Sequence, residues 1–264
     1  MGKLNYYIKY MKNGFKIYYG IWKKKRRVTK KQISKLKDTK KGKRCFIVGN
    51  GPSLTINDLE KIKGEDSFAV NRIYKLFDKT DWRPTYYFSQ DDRIVDEIVS
   101  DLPIMLKECQ GVFVNSCGYD LVSKEIKKSN NMNFIYIDNI HDTFPELPSF
   151  SFNVTTHFVE GYTVAYACIQ MAVYMGYSEI YIIGTDHSYC VNQTSDGKIE
   201  RDDTIQNYMP ELEGKVVYAP QMEKSTLAFR KARRVCDEKG IIIKNATRGG
   251  MLEEFERVDF DMLF

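Results

Sequence analysis

The feature that most constrains this chain is an alternation of two periods. From residue 44 onward, short runs rich in Val, Ile, Phe and Tyr occur at residues 45–48, 67–70, 85–89, 111–115, 133–137, 179–183 and 241–244. Between them lie stretches of helical spacing, clearest at 162–175 and 224–238. Strand-sized runs separated by helix-sized ones predict βαβ units, hence a mostly parallel, doubly wound α/β sheet with helices on both faces. In such a sheet a ligand sits beyond the carboxyl ends of the strands, where the strand order reverses. Two connections, 138–160 and 185–219, are longer than a turn needs and are expected to carry function.

The composition agrees with a folded body of this size. Of 264 residues, 43% are hydrophobic and 28% charged, ordinary globular values that exclude a wholly disordered chain. No run approaches the about 18 apolar residues of a membrane span, and the N-terminus lacks a secretory pattern. The six cysteines (Cys45, Cys109, Cys117, Cys168, Cys190, Cys236) include no C-x-x-C pair. They read as reduced thiols of a cytoplasmic protein, neither a disulfide framework nor a zinc site.

Charge is divided sharply. Residues 1–44 hold 17 of the 40 Lys and Arg against one acid, Asp38, so this segment carries +16 and the remainder −11. Within it Leu4, Ile8, Met11, Phe15, Tyr18 and Trp22 recur at spacings of four and three, one stripe of a helix, and Lys9, Lys12, Lys16 and Lys23 fall mostly elsewhere. Aromatic rings on one side and ammonium groups on the other suit an anionic membrane surface. Alternatively the stripe packs on the body or on a second copy, making a homo-oligomer. Nucleic acid also attracts such a patch, but no nucleic-acid motif accompanies it. The expected organisation is a basic amphipathic arm, 1–43, and one nucleotide-binding domain, 44–264, peripheral to the inner face of the cytoplasmic membrane.

Gly49-Asn50-Gly51-Pro52-Ser53-Leu54 follows the first strand and opens a helix. Glycines there let backbone N–H groups approach a phosphate at a helix N-terminus, as in Rossmann-like folds. The dinucleotide fingerprint is incomplete, because Leu54 replaces its third glycine and Asn71 stands where an acid would hold a ribose. No Gly-Lys-Ser/Thr follows, which excludes a P-loop. A plain strand-to-helix turn with Ser53 as N-cap is the simpler reading.

The run from Cys45 through Leu54, then Val70-Asn71-Arg72, then Met175-Gly-Tyr-Ser-Glu-Ile-Tyr-Ile-Ile-Gly-Thr-Asp186, resembles two related groups. One comprises the bacterial sialyltransferases that act on lipooligosaccharide with CMP-sialic acid. The other is the domain family shared by flagellar motility accessory factors and archaeal 6-hydroxymethylpterin diphosphokinases, which Asn245-Ala-Thr-Arg-Gly-Gly250 and Arg257-Val-Asp-Phe-Asp261 resemble more closely. The resemblance implies that Gly49, Asn50, Gly51, Pro52, Ser53, Asn71, Arg72, Gln90, Asp91, Thr163 and Thr185 surround a nucleotide. Thr163 matches the first residue of a Thr-Ser-Gly turn, from which Val164 and Ala165 depart.

The sialyltransferase resemblance also implies a base histidine after the Gly-x-Asp strand. The chain has only His141, His157 and His187, none within residues 189–264. His187, beside Asp186 at a strand end, is the expected base, with Asp186 orienting it or touching the ligand. The alternative is an ordinary loop histidine bonded to a neighbour. Tyr189, Asn245 and Arg248 are placed at the acceptor or a phosphate, since tyrosine stacks on rings and a guanidinium clamps phosphate; Tyr208 and Tyr218 share that loop. Asp91 and Asp92 are weak ligands for Mg²⁺, or Asp92 caps the next helix. Asp259 and Asp261 match a metal-binding spacing by coincidence.

Three functions follow. The first is a glycosyltransferase of surface polysaccharide or lipid-linked glycan, moving a nonulosonic sugar from a CMP-activated donor to a hydroxyl, with no cofactor required. The second is pyrophosphoryl transfer from ATP to a pterin-like alcohol, which needs Mg²⁺. The third is a non-catalytic nucleotide-binding scaffold.

Overall fold

Runs such as Cys45-Phe-Ile-Val48 and Gly111-Val-Phe-Val-Asn115 are apolar on both faces, so their strands must be covered on both sides. The computed structural model, which describes residues 19–138, 148–194, 196–212 and 220–264, has that arrangement. Its strands are β1 (Arg44–Val48), β2 (Ser67–Val70), β3 (Tyr86–Ser89), β4 (Gly111–Asn115), β5 (Met132–Ile135), β6 (Ile137–Asp138), β7 (Phe158–Val159), β8 (Glu179–Ile183), β9 (Val191–Gln193), β10 (Ile199–Arg201), β11 (Ile242–Asn245) and β12 (Glu256–Arg257). The helices are α1 (residues 19–26), α2 (Lys30–Ser34), α3 (Ile56–Lys61), α4 (Asp92–Ile98), α5 (Leu102–Glu108), α6 (Lys124–Lys128), α7 (Val164–Met175) and α8 (Met222–Lys239).

Eight strands make one sheet in the order β12-β11-β8-β1-β2-β3-β4-β5, with every pair parallel. The order reverses between β1 and β8, so the crevice at their carboxyl ends is the switch point of the fold. The doubly wound α/β class expected from the sequence is the one observed. The run expected at 133–137 divides: β5 ends at Ile135, and Ile137–Asp138 leaves the sheet to pair with β7. Gly240, left-handed at φ 66°, ends α8 and delays β11 to Ile242.

Two apolar layers flank the sheet. On one side α7 lies against it almost wholly buried, its Ala165, Ala167, Cys168 and Ala172 allowing close approach. Phe88 and Phe113 stack beneath it at 4.5 Å; truncating either ring would cost about 3–5 kcal/mol. The opposite layer gathers Leu59, Trp82, Ile98 and Met105.

Much of the basic arm is part of this body. Val28 and Ile33 are buried in the core. Thr29 N–H donates to the Phe134 carbonyl and Phe134 N–H to Thr29 Oγ1, both at 3.1 Å, which occupies the otherwise open edge of β5. Asp38 and Lys40 donate backbone N–H groups to Tyr174 and Met175, and Lys40 Nζ lies 2.9 Å from Asp66. Residues 28–43 therefore pack as part of the body. The stripe residues Leu4, Ile8, Met11, Phe15 and Tyr18, with Lys9, Lys12 and Lys16, lie outside the described residues; so do His141 and Tyr218.

Candidate functional site

The glycine turn after β1 is shaped by the loop after β8. Gly49 and Gly51 donate N–H to the carbonyls of Ile183 and Gly184, each at 2.8 Å. A Cβ on Gly49 would stand 2.2 Å from the Gly184 carbonyl oxygen, and one on Gly51 would stand 1.9 Å from Asp186 Oδ2. Both glycines are thus required for the two loops to touch. Their amides serve that contact, which corrects the expectation that these N–H groups face a phosphate.

Ser53 is drawn into the same contact. Its hydroxyl donates to Asp186 Oδ2 at 2.8 Å, and its N–H also bonds the carboxylate. Ser53 is therefore not an N-cap. The helix α3 begins two residues later with a capping box: Thr55 Oγ1 accepts from Asp58 N–H, and Thr55 N–H donates to Asp58 Oδ2. Asp186 is buried, and burial raises its pKa above the ordinary 3.8, partly offset by the Ser53 bonds.

Around this knot lie buried polar atoms with no hydrogen-bond partner among the described residues: Asn50 Oδ1, Thr185 Oγ1 and Gln90 Oε1, at the carboxyl ends of β1, β8 and β3. Each residue is held by its other groups. Asn50 Nδ2 donates to the Val70 carbonyl at 3.2 Å, Thr185 N–H to Thr247 Oγ1 at 3.3 Å, and Gln90 Nε2 to the Glu160 carbonyl at 3.2 Å. An unmet buried acceptor costs on the order of 1–3 kcal/mol, so three of them at one sheet edge concentrate an unusual polar cost there. Pro52 keeps the turn between Gly51 and Ser53.

Backbone strain collects at the same edge. Among the described residues the left-handed non-glycine positions are Asp38, Asn71 (φ 52°), Tyr162 (φ 55°) and His187 (φ 51°), and the last three follow β2, β7 and β8. The Asn71 carbonyl accepts from Tyr87 OH, and its Oδ1 lies 3.5 Å from Ser89 Oγ. Thr163 is the N-cap of α7, and its hydroxyl makes no cap bond.

His187 turns towards α8. Its Nε2 is 2.7 Å from Thr226 Oγ1, and that hydroxyl donates to the Met222 carbonyl at 2.8 Å. Since the hydroxyl proton is committed, Oγ1 accepts from Nε2–H, which leaves the lone pair on Nδ1. The ring meets Phe229 edge-on at 5.5 Å, and burial lowers its pKa to about 4. No motif in the sequence pointed to Thr226, an ordinary-looking residue on an amphipathic helix.

Other sequence-derived residues have structural engagements. Arg72, 1% exposed, directs its guanidinium into a fork with Glu97 of α4 (2.8 and 2.5 Å). Asp91 is the N-cap of α4, accepting from Arg93 N–H at 2.9 Å, and Asp92 is the first helical residue, which corrects the expectation that Asp92 caps. Magnesium between these acids would have to share Asp91 with the helix start. Among the described residues no three His, Cys, Asp or Glu groups cluster for a metal.

Asn245 is wholly buried, its amide donating to the Leu252 carbonyl and its Oδ1 accepting from Thr247 N–H. Arg248 binds Asp58 and Asp261, joining α3 to the C-terminal turn, and Asp259 caps that turn. Tyr189 is half-buried in the chain after β8. Met209 N–H donates to the Asn50 carbonyl at 2.9 Å, and the Tyr208 ring lies 5.9 Å from the Arg72 guanidinium, so this segment walls the cleft. Nothing local in the sequence foretold Met209.

The family model described as 6-hydroxymethylpterin diphosphokinase MptE-like matches residues 21–192. No curated protein matches the chain. Among solved structures the fold is similar to the MAf glycosyltransferase from Magnetospirillum magneticum AMB-1, at 14% identity and a TM-score of 0.53, over 90% of this chain and 38% of that one. The chain thus spans well under half the length of that protein. The sialyltransferase CstII from Campylobacter jejuni, solved with the substrate analogue CMP-3FNeuAc, aligns at 13% identity and a TM-score of 0.45, over 82% of this chain and 86% of that one.

Proposed function

This chain belongs to the 6-hydroxymethylpterin diphosphokinase MptE-like family, and from that premise we propose that it is a glycosyltransferase whose donor is a CMP-activated, sialic-acid-like sugar. The observation that carries the reading is the set of open buried acceptors, Asn50 Oδ1, Gln90 Oε1 and Thr185 Oγ1, at the carboxyl edge around the switch point. A cytosine base and a ribose bring amino and hydroxyl donors that such acceptors bind. The fold relative solved from Magnetospirillum is a glycosyltransferase, which supports the class.

In this reading the nucleotide lies over the β1, β3 and β8 ends, with Asn71 and Thr163 at its margins. The acceptor hydroxyl attacks the anomeric carbon as the bond to CMP breaks, inverting that centre, and its proton passes to the protein. Asp186 suits that step better than His187. Burial makes its carboxylate a stronger base than an exposed aspartate, whereas His187 has its Nε2 bonded to Thr226 and is made a weaker base than an ordinary imidazole. His187 then holds the β8 loop against α8, and Tyr189 faces the acceptor side.

The family description favours a second reading, pyrophosphoryl transfer from ATP to a pterin-like alcohol with Mg²⁺ near Asp91 and Asp92. One assay separates the two. The purified full chain is incubated with CMP-activated nonulosonic sugars and glycan acceptors, and separately with MgATP and a hydroxymethylpterin. CMP release that requires an acceptor supports sugar transfer. AMP release dependent on the pterin overturns it.

A further inference from the structure

We propose that the cationic groove between α1 and α2 docks the protein on an anionic lipid bilayer, so that the cleft works at the membrane surface. The groove has a volume of about 760 Å³ and is lined by Ile21, Trp22, Lys25, Arg26, Lys30 and Lys31 among others. Among the described residues no acid lines it, and residues 19–37 contain none. None of its four cations is in an ion pair among the described residues. Arg26 stacks on Trp22 at 4.7 Å and Lys25 lies 5.0 Å from the Tyr136 ring, so these charges are held by rings that leave them un-neutralised.

The helix α1 divides its residues between two duties. Lys23 and Arg27, four apart, both bind Asp120 and fasten the helix to the body. Tyr19, Trp22 and Arg26, spaced by three and four, share another face. Tyr19 and Trp22 stack at 5.6 Å yet stay 54% and 45% exposed. Unburied indole and phenol rings among unpaired cations match the interfacial layer of a bilayer, where rings sit among headgroups and ammonium groups meet lipid phosphates.

Position adds a functional reason. Tyr119 and Asp120 follow β4, and Tyr136 follows β5, so α1 sits at the carboxyl edge of the sheet, the edge that holds the open acceptors. The order β1-β2-β3-β4-β5 puts about 20 Å between the β1 turn and β5. A bilayer seated on the groove would hold the cleft within reach of a lipid-linked hydroxyl.

The test uses the full chain, which has two tryptophans, one of them the fully buried Trp82. Emission is followed on titration with vesicles of phosphatidylcholine alone or mixed with phosphatidylglycerol, and with a brominated lipid as quencher. The expected result is a blue shift and quenching with phosphatidylglycerol vesicles only, weakened by salt and absent in Trp22→Phe. Combined Lys25→Gln, Arg26→Gln, Lys30→Gln and Lys31→Gln should weaken vesicle binding by at least about tenfold while the circular dichroism spectrum and nucleotide affinity stay unchanged. Equal binding to neutral vesicles overturns the proposal, as does binding that leaves Trp22 emission unmoved, which would assign it to residues 1–18. Preference for RNA, or shielding of Trp22 by self-association without lipid, overturns it equally.

Discussion

The carboxylate of Asp186 fills the space that a side chain at residue 51 would need: Oδ2 lies 1.9 Å from where a Cβ on Gly51 would stand. The glycine motif and the Gly-Thr-Asp motif, more than 130 residues apart, are thus two halves of one contact. Gly51→Ala must push Asp186 out or open the turn. It should cost about 1–3 kcal/mol, measured by urea unfolding, and abolish detectable nucleotide binding.

With Asp186 as the proposed base, the transfer has a definite pH dependence. Its carboxyl titrates above 3.8 because it is buried, and only the ionised form accepts a proton. Transfer activity should therefore rise with pH through that raised value and level off above it. Asp186→Asn should reduce kcat by about 10²–10³-fold and remove the rising limb. Retention of wild-type kcat would show that another group takes the proton.

His187 predicts a stability profile. Its folded pKa is about 4 against 6.5 ordinarily, so the unfolded chain binds a proton first as pH falls. The stability that the neutral ring contributes is complete above pH 6.5 and is lost as pH falls towards 4. The total reaches roughly 3 kcal/mol, opposed by the nearby Glu254. Urea midpoints at pH 7 and pH 4.5 should differ less in His187→Gln than in the parent. Thr226→Val should cost about 1–3 kcal/mol by stranding Nε2–H.

Arg72 is expected to act on stability. Removing it leaves Glu97 with an uncompensated charge beside the core, so Arg72→Ala should cost about 3–5 kcal/mol, and the paired Arg72→Met with Glu97→Leu should recover most of that. Once refolded, the double variant should bind nucleotide as the parent does. Selective loss of affinity in it would return Arg72 to the ligand.

Sequence alone revealed the sheet, because runs such as Gly111-Val-Phe-Val-Asn115, apolar on both faces, suit strands covered on both sides. What it hid were long-range side-chain commitments. Ser53 reads locally as an N-cap, but Asp186 claims it. Arg72 follows Asn71 in the motif, but its guanidinium is paired with Glu97. Asn245 looks free after β11, yet its own loop consumes its amide. The break between arm and body was also masked: the change in charge at residue 44 is sharp, whereas Val28 and Ile33, two apolar residues among lysines, mark where burial begins. Charge follows solvent, and burial follows packing.

The central claim is that the open acceptors of Asn50, Gln90 and Thr185 form a cytidine-nucleotide site. Calorimetric titration of CMP into the full chain, with and without Mg²⁺ and beside ATP, tests it most directly. The account predicts CMP binding that needs no metal and falls at least about tenfold in Asn50→Ala, the loss of one buried bond to a ligand. Binding of ATP only with Mg²⁺, or CMP affinity indifferent to Asn50→Ala, would contradict it.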